Sequence, residues 1–238
     1  MTDERRAQLA AALDAVRRRI ARACADAGRR PDDVTLVAVT KNYPAADVQA
    51  LAELGVTDVG ENKDQEAAAK WSAVTAPLRW HYVGRLQRNK AGSVVRYADV
   101  VQSVDSVRLA GALDRAAGRH RTTPLDVLVQ VSLDGDAQRG GAVIDGADPE
   151  RDLWRVAEAV AASETLRLRG VMAVAPMNAD PDRAFAILHD VASRLNGHHP
   201  GADAISAGMS GDLEQAVAHG ATHVRIGTSL LGMRKTLR

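Results

Sequence analysis

Cysteine is almost absent from this 238-residue chain, and long apolar runs are missing altogether. Cys24 is the only cysteine, so no internal disulfide can form, which fits a reducing compartment. The first six residues lack the apolar run of a signal peptide, and no apolar stretch approaches the length of a membrane span. We therefore expect a cytoplasmic protein with no membrane partner.

Excess charge of either sign is also missing. Lysine and arginine total 31 against 30 acidic residues, which gives a formal net charge of +1. That balance predicts no nucleic-acid partner and no basic patch for a membrane surface. Lysine itself is scarce, so the position of each lysine carries more weight; the five are Lys41, Lys63, Lys70, Lys90 and Lys235.

Motifs for several common chemistries are missing as well. No G-x-G-x-x-G follows a predicted strand, which argues against a dinucleotide-binding fold. No H-E-x-x-H motif or cysteine cluster is present, so we expect no metal site. Among the seven histidines, His81 is expected to pack in or beside a strand rather than to act in catalysis.

What the chain does contain is a regular alternation of helix and strand patterns. Apolar residues spaced by three or four predict an amphipathic helix over 3–27, and the run Arg17-Arg18-Arg19 is expected to lie on its solvated face. Eight strands are predicted after it, over 34–40, 57–62, 79–84, 100–104, 125–131, 168–174, 204–207 and 223–226. Helices are predicted between and after them, over 44–54, 64–71, 89–97, 106–117, 149–162, 181–195, 212–218 and 229–233.

Eight strand–helix units in a chain of this length favour a closed parallel barrel over an open sheet. We predict an α/β fold with a single (β/α)8 TIM-type barrel over about 34–238, preceded by the additional N-terminal helix. No linker or domain boundary interrupts the pattern. The longest irregular stretch, 134–149, is the best candidate for a mobile loop.

The first predicted strand ends at Lys41. The residues before it are mostly β-branched or aliphatic and uncharged, as in a strand buried on both faces. The stem of a lysine at the end of such a strand lies in apolar surroundings. Desolvation there lowers the pKa of the amine, and a neutral amine can form a Schiff base with an aldehyde. From this segment alone, the alternative is a lysine that ends a strand and reaches solvent.

Small residues and hydroxyls follow the last two predicted strands, in Gly208-Met209-Ser210-Gly211 and in Gly227-Thr228. Glycine exposes backbone N–H groups, hydroxyls add donors, and barrels frequently bind phosphate after these two strands. Taken alone, these residues are also consistent with ordinary turns and helix caps. Together with Lys41, across the closure of the barrel, they describe a pocket for pyridoxal 5'-phosphate (PLP).

Five motifs, in order along the chain, resemble those of one known family. They are Val39-Thr40-Lys41, Gly60-Glu61-Asn62, the decapeptide HYVGRLQRNK from His81 to Lys90, Gly208-Met209-Ser210-Gly211-Asp212 and Arg225-Ile226-Gly227-Thr228-Ser229. Each motif is weak alone, but together they span nearly the whole chain. They are similar to motifs of the pyridoxal phosphate homeostasis proteins. That family has the barrel fold of the N-terminal domain of bacterial alanine racemase, preceded by an additional helix.

The resemblance implies roles for six residues. Lys41 would hold PLP as an internal aldimine, Asn62 would lie near the cofactor ring, and Arg225 would face the pyridine nitrogen. The phosphate would be held by Ser210, Gly227 and Thr228. Because a guanidinium only donates hydrogen bonds, Arg225 would keep that nitrogen unprotonated and make carbanion-forming chemistry slow. The alternative for Arg225 is a salt bridge within the barrel mouth.

Lys63 departs from the pattern of the family. It stands where a tyrosine is usual, which leaves any ring contact from that position in question. It also adds an amine near the barrel mouth, and the sequence does not decide whether Lys63 binds a second PLP.

The resemblance and the residues together favour a binding protein. We predict a monomer that holds PLP as a lysine aldimine in intracellular PLP (vitamin B6) homeostasis, without robust catalysis, with PLP-requiring apo-enzymes as candidate recipients. The alternative is a PLP-dependent amino-acid racemase, which needs an acid/base on each face of its substrate. Tyr43 and Tyr82 are the only tyrosines near predicted strand ends, and neither clearly supplies the second face. A class I aldolase is disfavoured because the acid/base network that it needs is not found.

Overall fold

Eight parallel strands form a closed ring in the structure, a computed structural model that describes residues 1–135 and 140–232. The strands of the ring are β1 Thr35–Val39, β2 Asp58–Glu61, β3 Arg79–Tyr82, β4 Val100–Val104, β5 Leu125–Ser132, β7 Leu166–Met172, β8 Ala204–Ser206 and β9 His223–Ile226. The two-residue strand β6 Ala142–Val143 pairs with β5 outside the ring. Strand β1 pairs with both β2 and β9, and β4 pairs with β5, so the sheet has no free edge. The predicted (β/α)8 barrel is confirmed.

Helices cover the outside of this ring. They are α1 Asp3–Asp26, α2 Ala45–Glu53, α3 Asp64–Ala73, α4 Ala91–Val94, α5 Val107–His120, α6 Leu153–Ala161, α7 Pro181–His198, α8 Leu213–Ala218 and α9 Thr228–Leu231. The side chains of Ser106, Asp152 and Asp180 cap α5, α6 and α7 by accepting backbone N–H groups of their first turns. Within the described residues, no helix combines the length and the apolar character needed to cross a bilayer.

Two helix predictions are wrong in their bounds. The helix predicted over 89–97 is a short 3₁₀ turn followed by α4, which ends at Val94. Gly92 lies inside this segment and has a low helix propensity. The helix predicted from Pro149 begins only at Leu153, because Asp152 acts as its N-cap.

The irregular stretch predicted over 134–149 contains β6, which pairs in parallel with the end of β5. Its residues 136–139 lie outside the described part of the chain, and so do residues 233–238 at the predicted end of the barrel. The prediction of a mobile loop is therefore left as a prediction.

The register of the strands brings distant parts of the chain to one rim of the barrel. Val39 pairs with Gly60 in β2, and Ala38 pairs with Ile226 in β9. The loops that follow β1, β2 and β9 therefore emerge side by side at the carboxyl end of the ring. In barrels of this architecture, that end carries function.

Polar side chains occupy part of the interior of the ring. Gln102 on β4 bonds to Ser206 on β8, and these two strands are not neighbours, so the contact crosses the interior. Both residues are fully buried. A small apolar cluster comes from four consecutive strands of the ring, β4, β5, β7 and β8, and consists of Val100, Leu128, Met172 and Ala204. The larger apolar clusters join the strands to the helices outside them.

Helix α1 packs against α8 and α9 with the predicted apolar face, Leu9, Leu13, Val16, Ile20 and Cys24, buried. The expectation that its arginine run is solvated holds for Arg17 and Arg18 and is wrong for Arg19, which is half-buried; Arg17 and Arg19 also make hydrogen bonds to the barrel. Arg17 donates to the Gly55 carbonyl at 2.9 Å, and Arg19 donates to the Ser210 carbonyl at 2.7 Å. Arg18 is exposed. Helix α1 therefore has polar contacts with loops on the barrel in addition to its apolar face.

Candidate functional site

An open cleft of about 1130 Å³ lies at the carboxyl rim between the ends of β1, β2, β8 and β9. All six residues predicted to bind the cofactor line it; they are Lys41, Asn62, Ser210, Arg225, Gly227 and Thr228. We call it the Lys41 cleft. Residues from both halves of the sequence meet here because the ring closes between β1 and β9.

Lys41 lies on a turn just after β1, and its side chain is exposed. The apolar surroundings expected for its stem are therefore not observed. Within residues 1–135 and 140–232, no hydrogen bond or ion pair engages its amine. The next residue, Asn42, has φ +65°, and its N–H donates to the Glu66 carboxylate. The turn is thus fixed through its backbone while the amine remains available.

A buried cluster of charges, which we call the Lys70 cluster, lies beneath this turn. The ammonium of Lys70, a residue only 5% exposed, donates to the Thr40 carbonyl at 2.7 Å, to Glu61 at 2.7 Å and to Glu66 at 2.8 Å. The Thr40 hydroxyl also donates to Glu61, at 2.5 Å. The Lys70 cluster therefore bonds to the backbone on both sides of Lys41. Lys70 donates to the carbonyl of Thr40, and Glu66 accepts the N–H of Asn42.

The two carboxylates of the Lys70 cluster differ in their acidity. Burial raises the pKa of Glu61, and the hydrogen bonds from Lys70 and Thr40 offset this only in part. Burial also disfavours the ionised form of Glu66, but the hydrogen bond and charge of Lys70, the N–H of Asn42 and the charge of Lys63 together outweigh it and lower the pKa of Glu66. Of the two carboxylates beneath the Lys41 turn, Glu66 therefore ionises more readily. It is also the one that accepts the backbone N–H of Asn42.

The opposite side of the cleft is built from small residues and hydroxyls. Ser210 accepts the Ser229 N–H at 3.2 Å, which ties the β8 exit to α9. Gly208 has φ +89°, and a Cβ there would lie 2.6 Å from the Ala216 Cβ. Only glycine satisfies both conditions. A Cβ on Gly227 would lie 3.3 Å from the Val39 carbonyl, so the β9 exit sits close against the end of β1.

Asn62 supplies a buried acceptor at the edge of the cleft. Its Oδ1 atom has no hydrogen-bond partner among the described residues. A Cβ on Gly84 would lie 2.2 Å from the Asn62 carbonyl oxygen, so only glycine allows the β3 exit to pack this closely against Asn62. Buried polar atoms are rarely left without a partner, so an orphan acceptor at a cleft favours a ligand that donates to it.

Arg225 enters the cleft from β9 and is only 5% exposed. Its Nη1 donates to the Ser206 hydroxyl at 2.7 Å, and its Nη2 donates to the Ala173 carbonyl at 2.8 Å. The alternative of a salt bridge is wrong, because both partners are neutral. Burial lowers the pKa of Arg225 to about 10, which leaves it cationic at neutral pH. The guanidinium therefore places a positive donor in the cleft, and no carboxylate of the described residues is in contact with it.

Acid/base groups are few in the Lys41 cleft. The described residues that line it include no histidine, cysteine or carboxylate, and its titratable side chains are Lys41, Tyr43 and Arg225. The Tyr43 hydroxyl donates to the Gly232 carbonyl at 2.6 Å. The Tyr82 hydroxyl does not reach this cleft; its nearest acceptor is the backbone carbonyl of Asn62, at 3.4 Å.

A second cleft, of about 1440 Å³, lies beside the first and shares Asn62 with it. Lys63 lines this second cleft and not the Lys41 cleft. Its lining is strongly charged and of mixed sign. In the described residues, no group of three or more histidine, cysteine, aspartate or glutamate side chains is arranged to hold a metal ion.

Comparison with known proteins places the chain in a family. The family model "Alanine racemase, N-terminal domain" matches residues 11–235. The pyridoxal phosphate homeostasis protein of Mycobacterium tuberculosis (strain ATCC 25618 / H37Rv) is 45% identical, over 98% of this chain and 95% of that protein. The chain is therefore of the alanine racemase N-terminal-domain class, and within that class it belongs to the family of pyridoxal phosphate homeostasis proteins.

Solved structures agree with this placement. PipY of Synechococcus elongatus PCC7942, solved with PLP bound, is 35% identical and superposes with a TM-score of 0.79, over 94% of this chain and 100% of that chain. Alanine racemase from Corynebacterium glutamicum has a TM-score of 0.67 at 16% identity, over 95% of this chain and 64% of that chain. This second likeness shows the fold alone. The resemblance of the sequence motifs to the homeostasis family is confirmed.

Proposed function

We propose that this chain binds PLP in the Lys41 cleft and holds it covalently through Lys41. One observation carries the proposal. The same cleft contains an amine without a partner among the described residues and, on neighbouring strand ends, several hydrogen-bond donors that could bind an anion. Bound PLP supplies an aldehyde that an amine can capture and, in enzymes, an electron sink. The relative PipY was solved with PLP bound.

The cleft fits the chemical groups of PLP. The hydroxyls of Ser210 and Thr228 and the backbone at Gly227 hold the phosphate, because they concentrate donors at one end. The orphan Oδ1 of Asn62 accepts from the substituents of the ring. The buried Arg225 donates to the ring nitrogen, since a guanidinium has five N–H donors and no acceptor.

We further propose that the protein binds and releases PLP and does not catalyse a robust reaction. The described lining of the cleft has no histidine, cysteine or carboxylate to act as a base besides Lys41. Tyr43, the phenol that lines the cleft, already donates to the Gly232 carbonyl. Arg225 leaves the ring nitrogen unprotonated, which weakens the electron sink that a racemase needs.

The role we propose is PLP homeostasis in the cytoplasm, carried out by a single-domain monomer that passes PLP to apo-enzymes. Exposure of Lys41 at an open cleft supports exchange with solvent and with recipients. The lone cysteine, Cys24, lies on the buried face of α1 and is compatible with a reducing compartment. The curated relatives carry the name of this role.

The visible spectrum of the purified protein, with and without borohydride, tests the assignment. Wild-type protein incubated with PLP and desalted should keep a visible chromophore, and a peptide map after reduction should place the adduct on Lys41. Lys41→Ala should lose the chromophore on desalting and keep its circular dichroism spectrum.

Lys63→Ala is the matched control, since Lys63 is an exposed lysine in the neighbouring cleft. It should retain the chromophore. A reducible adduct that survives in Lys41→Ala, or one that maps to Lys63 in the wild type, would overturn the proposal. Racemisation of alanine by the loaded wild-type protein at the rate of an enzyme would overturn the non-catalytic part alone.

A further inference from the structure

A chain of four hydrogen bonds crosses the barrel interior and ends at Arg225; we call it the interior chain. Arg225 Nη1 lies 2.7 Å from Ser206 Oγ, and Ser206 Oγ lies 2.7 Å from Gln102 Oε1. Gln102 Nε2 lies 2.7 Å from His81 Nδ1, and His81 Nε2 lies 2.8 Å from Asp58 Oδ1. Each of the five residues is at most 7% exposed.

The placement of the Gln102 amide, with Oε1 toward Ser206 and Nε2 toward His81, sets the direction of the interior chain, and the two ends of the chain agree with it. Arg225 can only donate, and an ionised Asp58 can only accept. The Ser206 hydroxyl must therefore accept from Arg225 and donate to Gln102. The amide of Gln102 must then donate to His81, and His81 must donate from Nε2 to Asp58. This direction defines a neutral His81 with its proton on Nε2.

The charge state of Asp58 agrees with this direction. Burial disfavours the carboxylate, but the hydrogen bonds from His81 and Thr57 and the positive charge nearby, including that of Arg79, together outweigh burial and lower the pKa of Asp58. The acceptor end of the interior chain is therefore negative at neutral pH. Hydrogen bonds that share one direction polarise one another in a low-dielectric interior.

The interior chain also explains how Arg225 stays charged without a carboxylate in contact. Its partners present the negative ends of their dipoles: the oxygen of the Ser206 hydroxyl and the carbonyl of Ala173. A carboxylate in this place would neutralise the guanidinium and repel an anionic ligand. Two of the five N–H donors of Arg225 are used by these partners, and the residue lines the Lys41 cleft.

We propose that the interior chain positions Arg225 as a fixed, un-neutralised donor toward the ring nitrogen of PLP, with Gln102 as the positioning residue that sets its direction. This inference rests on the proposed function and deepens it, because it assigns residues outside the cleft to the ring contact. Gln102 carries the direction because its amide has both a donor and an acceptor end, and it connects the acid/base pair of His81 and Asp58 to Ser206.

Two substitutions of Gln102 test separately whether the interior chain must be continuous and whether its hydrogen bonds must run in one direction. Gln102→Met has a similar length but breaks the chain in the middle. Gln102→Glu keeps an acceptor for Ser206, but the new carboxylate can only accept from His81. While that carboxylate is ionised, His81 donates from both nitrogens and is doubly protonated.

Nitrogen NMR of His81 in cofactor-free protein tests the direction without any use of PLP. The wild type should show one protonated ring nitrogen, Nε2, and Gln102→Glu should show two. A wild-type His81 that carries its proton on Nδ1, or on both nitrogens, would overturn the proposal.

The spectrum and release of bound PLP test the effect on Arg225. Gln102→Met removes the acceptor of the Ser206 hydroxyl and so loosens the group that holds Arg225. Loss of an ordinary hydrogen bond corresponds to a change of up to about tenfold, so Gln102→Met should release PLP faster than wild type by up to about tenfold. Gln102→Glu should shift the absorption maximum, since the new carboxylate lies next to Ser206 and lowers the positive potential at the ring. If Gln102→Met does not fold, Ser206→Ala removes the neighbouring bond with a smaller change of volume and should show the same acceleration.

Ser103→Ala is the matched control on the same strand. Ser103 is 2% exposed and its hydroxyl has no partner among the described residues, so its loss should change neither spectrum nor release. Wild-type spectrum and release in the Gln102 and Ser206 variants would contradict the inference. A colourless wild type would instead contradict the proposed function, and the His81 measurement would still decide the direction of the chain.

Discussion

The two sides of the Lys41 cleft are held in place by different means. The turn that carries Lys41 is held from within, by the Lys70 cluster, in which an ammonium 5% exposed has three acceptors within 2.8 Å. The loop that carries Ser210 is held from outside, by Arg19 of α1, which donates to the Ser210 carbonyl and pairs with Glu214. Arg19 and Glu214 both have side chains at least one-third exposed.

The difference matters because a buried charge and an exposed charge respond differently to the loss of a partner. A buried carboxylate without its ammonium must be desolvated without compensation, whereas an exposed one is hydrated. The lysine side of the cleft is therefore tied to the stability of the whole barrel. The side of the cleft that carries Ser210 can be loosened while the barrel stays intact, which suits the release of PLP that we propose.

The largest expected effect is the loss of Lys70. Lys70→Met should lower the free energy of unfolding by about 3–5 kcal/mol, because it leaves Glu61 and Glu66 without the shared ammonium. Urea unfolding followed by circular dichroism measures the change. Lys90→Met is the control: Lys90 is partly exposed and lies 3.8 Å from Asp64, so its loss should cost about 1 kcal/mol or less. Equal effects in the two variants would remove the contrast between buried and exposed charges.

Acid should weaken the interior next. Burial lowers the pKa of His223 to about 4 from an ordinary value of 6.5. Because the folded-state pKa is depressed, the unfolded chain takes up a proton first. Stability is therefore full above about pH 6.5 and falls as the pH drops toward about 4, by at most about 3 kcal/mol. The titratable groups that act on His223 are His81, Asp58, Arg79 and Arg225.

Unfolding measured between pH 7 and pH 4 in His223→Asn tests this contribution. The variant should lose less stability with acid than the wild type does. His120→Asn serves as control, since His120 is exposed at the end of α5 and should leave the wild-type slope unchanged. A His223→Asn slope that equals that of the wild type would assign the acid sensitivity to other groups.

The smallest effect on stability is expected for the outer side of the cleft. Arg19→Ala should cost less than about 1 kcal/mol, because the pair with Glu214 is exposed. It should nevertheless speed the release of PLP, since the Ser210 carbonyl loses its donor and the loop loosens. Stopped-flow release after desalting measures this, with Arg18→Ala as the exposed neighbour that should match wild type. A large loss of stability without faster release would reverse the comparison.

The sequence predicts the barrel and the residues of the cleft, because both depend on local pattern. Alternating strands and helices define the ring, and the residue after each strand lies at the carboxyl rim. That rule alone brings Lys41, Ser210 and Thr228 together. The contacts that hold these residues were not predicted. Lys70 was missed because two of its acceptors come from β2 and from the end of β1; only the pair with Glu66, four residues away on α3, could have been seen.

Two further errors have the same origin in tertiary contact. The run Arg17-Arg18-Arg19 has the composition of a solvated helix face, and nothing local distinguishes its members. Arg17 and Arg19 find carbonyl acceptors only because α1 packs along the barrel. The apolar environment expected around the Lys41 stem was inferred from the strand before it, but the chain turns at Asn42 and leaves the lysine exposed.

Closure of the ring between its first and last strands has a consequence for synthesis on the ribosome. Lys41 leaves the exit tunnel roughly 170 residues before Ser210 and Thr228. At translation rates of about 5–20 residues per second, the interval lasts roughly 10–30 s. During that time, a nascent chain has the reactive amine but no anchor for an anion. In the function that we propose, retention of the cofactor thus requires synthesis through Thr228, and a ribosome stalled before β9 would yield a chain that cannot retain it.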